Sequence, residues 1–207
     1  MSIEENKRVD GQVRATRTPR AKRREQIVET AVEVFGRQGY RQGSLKDVAD
    51  AVGLTAQGLL HHFPTKEALL MATLDHRGMA HLDAMNRAKP GAGFTAVGRY
   101  ILQENLEHPG FMRLYITLSA EATDPEHPAH EYFVARYERS RELFMDAFRD
   151  GVQAGEIDSS IDADLAASQL VAMMDGLQLQ KLLRPELDVL KTYDDAVHRL
   201  LGVRVGS

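Results

Sequence analysis

Cysteine is absent from the 207 residues, which excludes disulfides and thiolate metal sites. No apolar run approaches the ~18 uninterrupted residues of a membrane span. The first residues are charged and carry no apolar stretch, so no secretory signal is expected and a cytoplasmic location follows. No segment alternates strictly between apolar and polar, and β-branched residues never cluster, which argues against strands. A phosphate-cradling glycine loop and a nucleophile elbow are missing as well. His76 and His81 stand five apart, off the i, i+4 spacing that puts two ligands on one helical face. His127 and His130, with Glu126 and Glu131, lie in a proline-rich loop without a third strong ligand nearby. Neither enzymatic activity nor a metal or cofactor is therefore expected.

What remains is ordinary soluble composition, 43% hydrophobic and 27% charged. The net charge of −4 conceals an asymmetry. Residues 1–66 hold 12 Lys/Arg against 8 Asp/Glu, whereas residues 67–207 hold 14 against 22. The basic excess is concentrated in Arg14, Arg17, Arg20, Lys22, Arg23 and Arg24, with no acid between them. Such a block is often only a solvated arm. Placed before a DNA-reading motif, it neutralises phosphates or enters the minor groove, with Arg20 and Arg23 the nearest candidates.

That motif follows at once. Residues 1–20 lack periodicity and read as a flexible basic arm. A first helix, about 21–38, places Ile27, Ala31, Val34 and Phe35 on one face, and Gly39 stops it. Ser44 caps a second helix, with Asp47 completing a capping box, and Leu45, Val48, Ala49 and Val52 turn inward. Gly53 makes a turn, Thr55 caps a third helix and Pro64 ends it. Two short helices hinged at a glycine have the layout of a helix-turn-helix, whose second helix enters the major groove. After Thr65 everything reads as helix, in segments of roughly 65–88, 93–107, 109–123, 129–153, 162–183 and 188–202. The fold expected is all-α: a helix-turn-helix domain over 21–66 and a larger helical body over 67–207.

Residues 22–70 resemble the DNA-binding domain of TetR-family transcriptional regulators. The likeness rests on the Ala31–Phe35 stripe with Gly39-Tyr40, on Ser44 with Asp47-Val48-Ala49, and on Val52-Gly53-Leu54. It continues through Gly58-Leu59-Leu60-His61-His62-Phe63-Pro64-Thr65-Lys66-Glu67-Ala68-Leu69. The resemblance implies a recognition helix from about Thr55 to His62, with Thr55, Ala56, Gln57 and Gly58 nearest the base edges. Gln57 has an amide able to bond adenine bidentately. Ser44, His61, Thr65 and Lys66 match positions that hold phosphates. One departure is Leu60, where many members carry Tyr.

The same resemblance implies a body that binds a small molecule between its fourth and seventh helices, and a homodimer paired through the last two, about 162–183 and 188–202. Met, aromatic and polar side chains are the candidates for the effector pocket: Phe94, Asn105, Met112, Tyr115, Phe133, Tyr137, Met174 and Gln178, with Glu121 a further polar contact. The function expected is a ligand-responsive repressor that binds a palindromic operator as a dimer. The rival is a non-specific DNA-binding or partner-binding helical protein without an effector.

Overall fold

The computed structural model describes residues 18–87 and 93–201, with side chains described outside 77–87 and 93–95. The described residues form nine helices and no strand. Helix α1, Pro19–Gln38, starts two residues earlier than the sequence pattern places it, because Thr18 caps it and Pro19 suits the first turn. Arg20 therefore lies in a helix rather than in an arm. The rest of the basic block before Thr18 falls outside the described residues.

α1 ends at Gly39, whose φ of 78° is one that side-chain-bearing residues avoid. Helix α2, Leu45–Val52, carries the expected capping box: the Ser44 hydroxyl accepts from the Asp47 N–H, and the Asp47 carboxylate accepts from the Ser44 N–H. Left-handed Gly53 turns the chain into α3, Ala56–Leu60, capped by Thr55. Only five residues are helical here, with His61 as the C-cap, so the recognition helix is shorter than its flanking signals suggest. The Thr65 hydroxyl accepts from the Ala68 N–H and opens α4, Lys66–Arg87.

The body continues with α5 (Gly93–Glu107), α6 (Pro109–Glu121), α7 (His130–Gln153), α8 (Ala163–Leu183) and α9 (Val189–Leu201). Among the described residues, no helix is long and apolar enough to cross a membrane.

Two hydrophobic cores hold these elements. The first contains Ile27, Ala31 and Phe35 of α1, Val48 of α2 and Leu59 of α3. It runs on without interruption into Leu70 and Leu74 of α4, Leu114 and Leu118 of α6 and Phe133 of α7. Each such Val, Leu, Ile or Phe side chain, nearly or fully out of water, contributes about 1.5–3 kcal/mol. The second core gathers Leu102 of α5, Phe144 and Phe148 of α7, Leu170 and Leu177 of α8, and Tyr193 and Val197 of α9.

α1 lies along α6 at very close range. A Cβ placed on Gly36 would come within 2.5 Å of the Gly110 carbonyl oxygen. Gly36 is buried in this seam, so the helix-turn-helix is seated directly on the body.

Candidate DNA interface and effector site

The three-helix head projects α3 outward. Leu59 is fully buried and anchors it, while Thr55, Ala56 and Gln57 are exposed. The Thr55 hydroxyl accepts the Gly58 N–H at 3.0 Å, so it caps the helix whatever else it touches. Gly58 is half-buried, and a Cβ there would press on the Thr55 hydroxyl at 3.2 Å. His61 is exposed at the end of α3, and Leu60 is 36% exposed beside it.

The Ser44 hydroxyl accepts the Asp47 N–H and donates to the Asp47 carboxylate at 2.6 Å, and the Thr65 hydroxyl accepts the Ala68 N–H. Two cations expected at phosphates also have internal partners. Arg23 donates to the Val52 carbonyl oxygen at 3.1 Å and to Gln26 at 3.1 Å, tying α1 to the end of α2. Lys66 donates to the Arg41 carbonyl oxygen at 3.3 Å, and its ammonium stands 4.4 Å from the centre of the Tyr40 ring. Arg24 sits over Phe63 at 4.6 Å. All but the Arg23–Gln26 bond are long-range in sequence, which is why the sequence pattern does not show them.

The electrostatics of the head follow from its helix starts. Asp47 is held below the usual carboxylate range, chiefly by the Ser44 hydroxyl and then by the Ser44 N–H. Glu67 is lowered by its own backbone N–H and then by the Thr65 hydroxyl. The Tyr40 hydroxyl, which donates to Glu67 at 3.4 Å, is pushed up to about 12 by burial and then by the Glu67 charge.

Tyr40 also meets the body, its ring edge-on to His127 at 5.7 Å. His127 Nδ1 accepts the Ala129 N–H at 3.2 Å, so a neutral ring carries its proton on Nε2, 3.6 Å from a Glu121 carboxylate oxygen. Both of those atoms are buried and make no closer hydrogen bond to any described residue. Glu121 thus serves the head–body seam. His130, at the start of α7, bonds the Ala122 carbonyl oxygen through Nδ1 at 2.9 Å, so the two histidines fasten the α6–α7 connection. Glu25 and Glu29 of α1 approach His76 of α4, their donor atoms within 4.8 Å of one another. This set is one ligand short of a closed tetrahedral zinc site.

In the body the expected effector residues separate into three groups. Asn105 and Gln178 are both buried and bond each other, Asn105 Nδ2 donating to Gln178 Oε1 at 2.7 Å, while Gln178 donates to the Met174 carbonyl oxygen. That pair staples α5 to α8. Met112 and Met174 are buried packing residues, and the Phe94 side chain lies outside the described ones. Tyr115, Phe133 and Tyr137 do come together, with ring centres 5.1 Å apart for the first pair and 6.5 Å for the second. Tyr132 joins them edge-on to Phe133 at 5.4 Å.

This aromatic cluster contains two charged groups that sequence reasoning passed over. Arg136 of α7 donates through Nε to the Tyr115 hydroxyl at 2.6 Å, its guanidinium 4.6 Å from the centre of that ring. Asp175 of α8 accepts from the Tyr137 hydroxyl at 2.7 Å. Burial pushes Asp175 above its ordinary range, against the pull of Tyr137 and Arg136. Burial likewise raises the Tyr115 and Tyr137 hydroxyls. Burial opposes the Arg136 charge too, but the surrounding tyrosine oxygens and Asp175 outweigh it and keep the side chain a cation. The signal available in sequence was Arg136 standing in helical phase with Tyr132 and Phe133.

An exposed short helix held on a buried three-helix core, joined to a larger helical body, defines a helix-turn-helix DNA-binding regulator. The family models agree. Residues 27–73 match that of the bacterial regulatory proteins of the tetR family, and residues 90–202 match the BetI-type transcriptional repressor C-terminal domain. The chain therefore belongs to the TetR family, and its two parts are those of a ligand-responsive, DNA-binding transcriptional repressor.

Among its relatives, the HTH-type transcriptional repressor KstR2 of Rhodococcus jostii is 30% identical over 162 residues, covering 70% of this chain and 72% of that protein. The HTH-type transcriptional regulator TtgR of Pseudomonas putida is 25% identical over 182 residues, covering 84% and 87%. In fold, a putative transcriptional regulator from Saccharomonospora viridis, solved in complex with choline, superposes with a TM-score of 0.76. It is 21% identical, covering 89% of this chain and 99% of that one. FadR from Bacillus subtilis, solved in complex with stearoyl-CoA, gives 0.71 at 18% identity, covering 87% and 99%.

Proposed function

We propose that the chain represses transcription as a homodimer on a palindromic operator and is released from it by a small-molecule effector, acting in the cytoplasm where the DNA is. The observation that carries this is the presentation of α3: its apolar residue is locked in the core while Thr55, Ala56 and Gln57 face outward. Residues 21–66 act as the reading domain and 67–207 as the effector and dimer domain, with the basic residues of 1–20 leading into it. Thr55, Ala56, Gln57 and Gly58 lie nearest the base edges. Gln57 reads a base through its amide. Ser44, His61, Thr65, Lys66, Arg20 and Arg23 contact the phosphate backbone. Arg23 and Lys66 each keep further N–H donors beyond their internal bonds, since a guanidinium carries five and an ammonium three.

The dimer surface is the outer side of α8. Leu170, Met174 and Leu177 face the chain's own core, but Leu165, Leu179 and Leu183 are 61%, 45% and 74% exposed. Between them stand exposed Ala172 and half-buried Gly176, whose small size lets a second helix approach. An isologous pairing of α8 and α9 with their copies makes a four-helix interface. It sets two α3 helices at the spacing of adjacent half-sites, about one DNA turn or a multiple of it.

Effector release works through the seam. A ligand among α4–α7 that shifts α6 or α4 moves the head with it, because α1 is packed on α6 and the first core is shared. A differential affinity of about 1–3 kcal/mol between the two arrangements changes operator affinity about 5- to 150-fold.

The test is a footprint of the purified protein on DNA flanking its own gene, with random competitor present, followed by the same assay on Gln57→Ala. Protection of an inverted repeat is expected, and Gln57→Ala should lower operator affinity by about 1–3 kcal/mol with relaxed preference at one base pair. Protection that vanishes under competitor, across the genome as well as locally, would favour a non-specific binder instead.

A further inference from the structure

The electrostatic character of the aromatic cluster limits what it can hold. An aromatic cage beside a carboxylate ordinarily suits a cation, the ligand sitting over a ring face. Here the chain's own Arg136 guanidinium occupies that place over Tyr115. Its Nε–H is taken by the Tyr115 hydroxyl. The four N–H bonds on Nη1 and Nη2 have no carboxylate within ion-pair distance and no hydrogen-bond acceptor among the described residues. Asp175, the nearest candidate counter-ion by charge, is instead engaged by the Tyr137 hydroxyl. The other arginines with a carboxylate partner, Arg99, Arg141, Arg149, Arg184 and Arg199, are on or near the surface, where water would have served them equally. Arg136 is drawn in beside Tyr115 and Tyr132 with none among the described residues. A partly buried guanidinium whose Nη donors meet no acceptor among the described residues is placed to take an anion, and its fork matches the two oxygens of a carboxylate.

We infer that the effector of this protein is an organic carboxylate, its anionic head bound by the Nη groups of Arg136 and its apolar body lying against Tyr115 and Phe133. This rests on the ligand-release reading above and names the ligand class for it. A carboxylate entering here replaces water on the guanidinium, and the tyrosine rings exclude competing solvent. A cationic ligand meets the Arg136 charge and is rejected. The carboxylate of Asp175 opposes the ligand's charge and sets a ceiling on affinity, so neutralising it should tighten binding.

The experiment is thermal unfolding and calorimetric titration of the full-length protein with two probes, octanoate and 3-phenylpropionate, each at millimolar concentration. Each is compared with its neutral amide, and choline serves as the cationic control. At least one carboxylate is expected to bind and raise the melting temperature, with its amide and choline binding about tenfold or more weakly. Arg136→Gln should weaken the carboxylate about ten- to a hundredfold, Arg136→Lys should restore part of it, and Asp175→Asn should strengthen it. Circular dichroism reports whether each variant folds.

Amides binding as well as the carboxylates, or no carboxylate binding at all, would overturn the assignment from the unaltered protein alone. So would equal binding by a folded Arg136→Gln. Release of the operator by choline but by neither carboxylate would sink the carboxylate assignment and leave ligand-responsive repression intact. A carboxylate that binds through Arg136 without changing operator affinity would do the reverse.

Discussion

Replacing Gly36 with alanine adds one methyl group at the seam between reading head and body. The new Cβ would stand 2.5 Å from the Gly110 carbonyl oxygen and 3.2 Å from its carbon, whereas ordinary contact begins near 3.4 Å. Both opposing atoms are backbone, so no side chain can swing aside. α1 and α6 must therefore part by about 0.9 Å at this point. Overpacking of this kind costs about 1–3 kcal/mol. The better helix propensity of alanine returns about 0.8–1 kcal/mol. The net loss is up to about 2 kcal/mol, which for a chain of this size lowers the melting temperature by up to about 8 °C.

Gly110→Ala supplies the internal control. It lies on the same seam, but its Cβ would meet nothing within 4 Å, so the melting temperature should hold or rise. Scanning calorimetry on both variants, with operator binding by fluorescence anisotropy, makes the comparison. Operator affinity should fall for Gly36→Ala beyond what its lost stability explains, because the head is tilted on the body. A melting temperature for Gly36→Ala above the parent's would refute the reasoning, since it would mean that α1 and α6 are not held in this contact.

Tyr193 is fully buried against Gly98, and its hydroxyl finds no hydrogen-bond partner among the described residues. Tyr193→Phe should therefore stabilise by about 1 kcal/mol or more, read as a rise of about 2–4 °C in calorimetry; a fall would mean that the hydroxyl is satisfied in solution. Ser44→Ala removes the group that holds Asp47 below its ordinary value of 3.8. Because the folded-state value is depressed, that contribution is present above about pH 4 and is lost as pH falls through the depressed value. The stability gap between parent and Ser44→Ala should narrow on acidification, and a gap independent of pH would show that the capping hydroxyl acts without Asp47.

The helices of this chain were legible because their ends carry local chemistry. Ser44 with Asp47, Thr55, Thr65 and Asp162 are caps, and Gly39, Gly53 and Gly155 take positive φ at helix ends. Such signals act within three or four residues, the range over which a sequence pattern can be read. The internal partners of Arg23 and Lys66 were not legible, since Val52 lies 29 positions from the first and Arg41 25 from the second. The joining of Tyr137 to Asp175 spans 38. Helical periodicity marks a side of α8 as apolar but cannot tell its own core from a partner's. Leu165 and Leu170 look alike in sequence, although one is exposed and the other fully buried. Aromatic residues drew attention to the effector cluster, while the arginine among them resembled any surface charge until its surroundings were known.

The unbroken first core has a bearing on how regulators of this kind are recombined. Grafting one protein's DNA specificity onto another's ligand response tempts a cut at the start of α4, where the reading motif ends in sequence. In this chain that cut would divide a single packed interior, setting Phe35, Val48 and Leu59 of one parent against Leu114, Leu118 and Phe133 of the other. A hybrid that keeps α6 and the first turn of α7 matched to α1 carries its whole interior from one ancestor, and only the outward residues of α3 then need to change to redirect it.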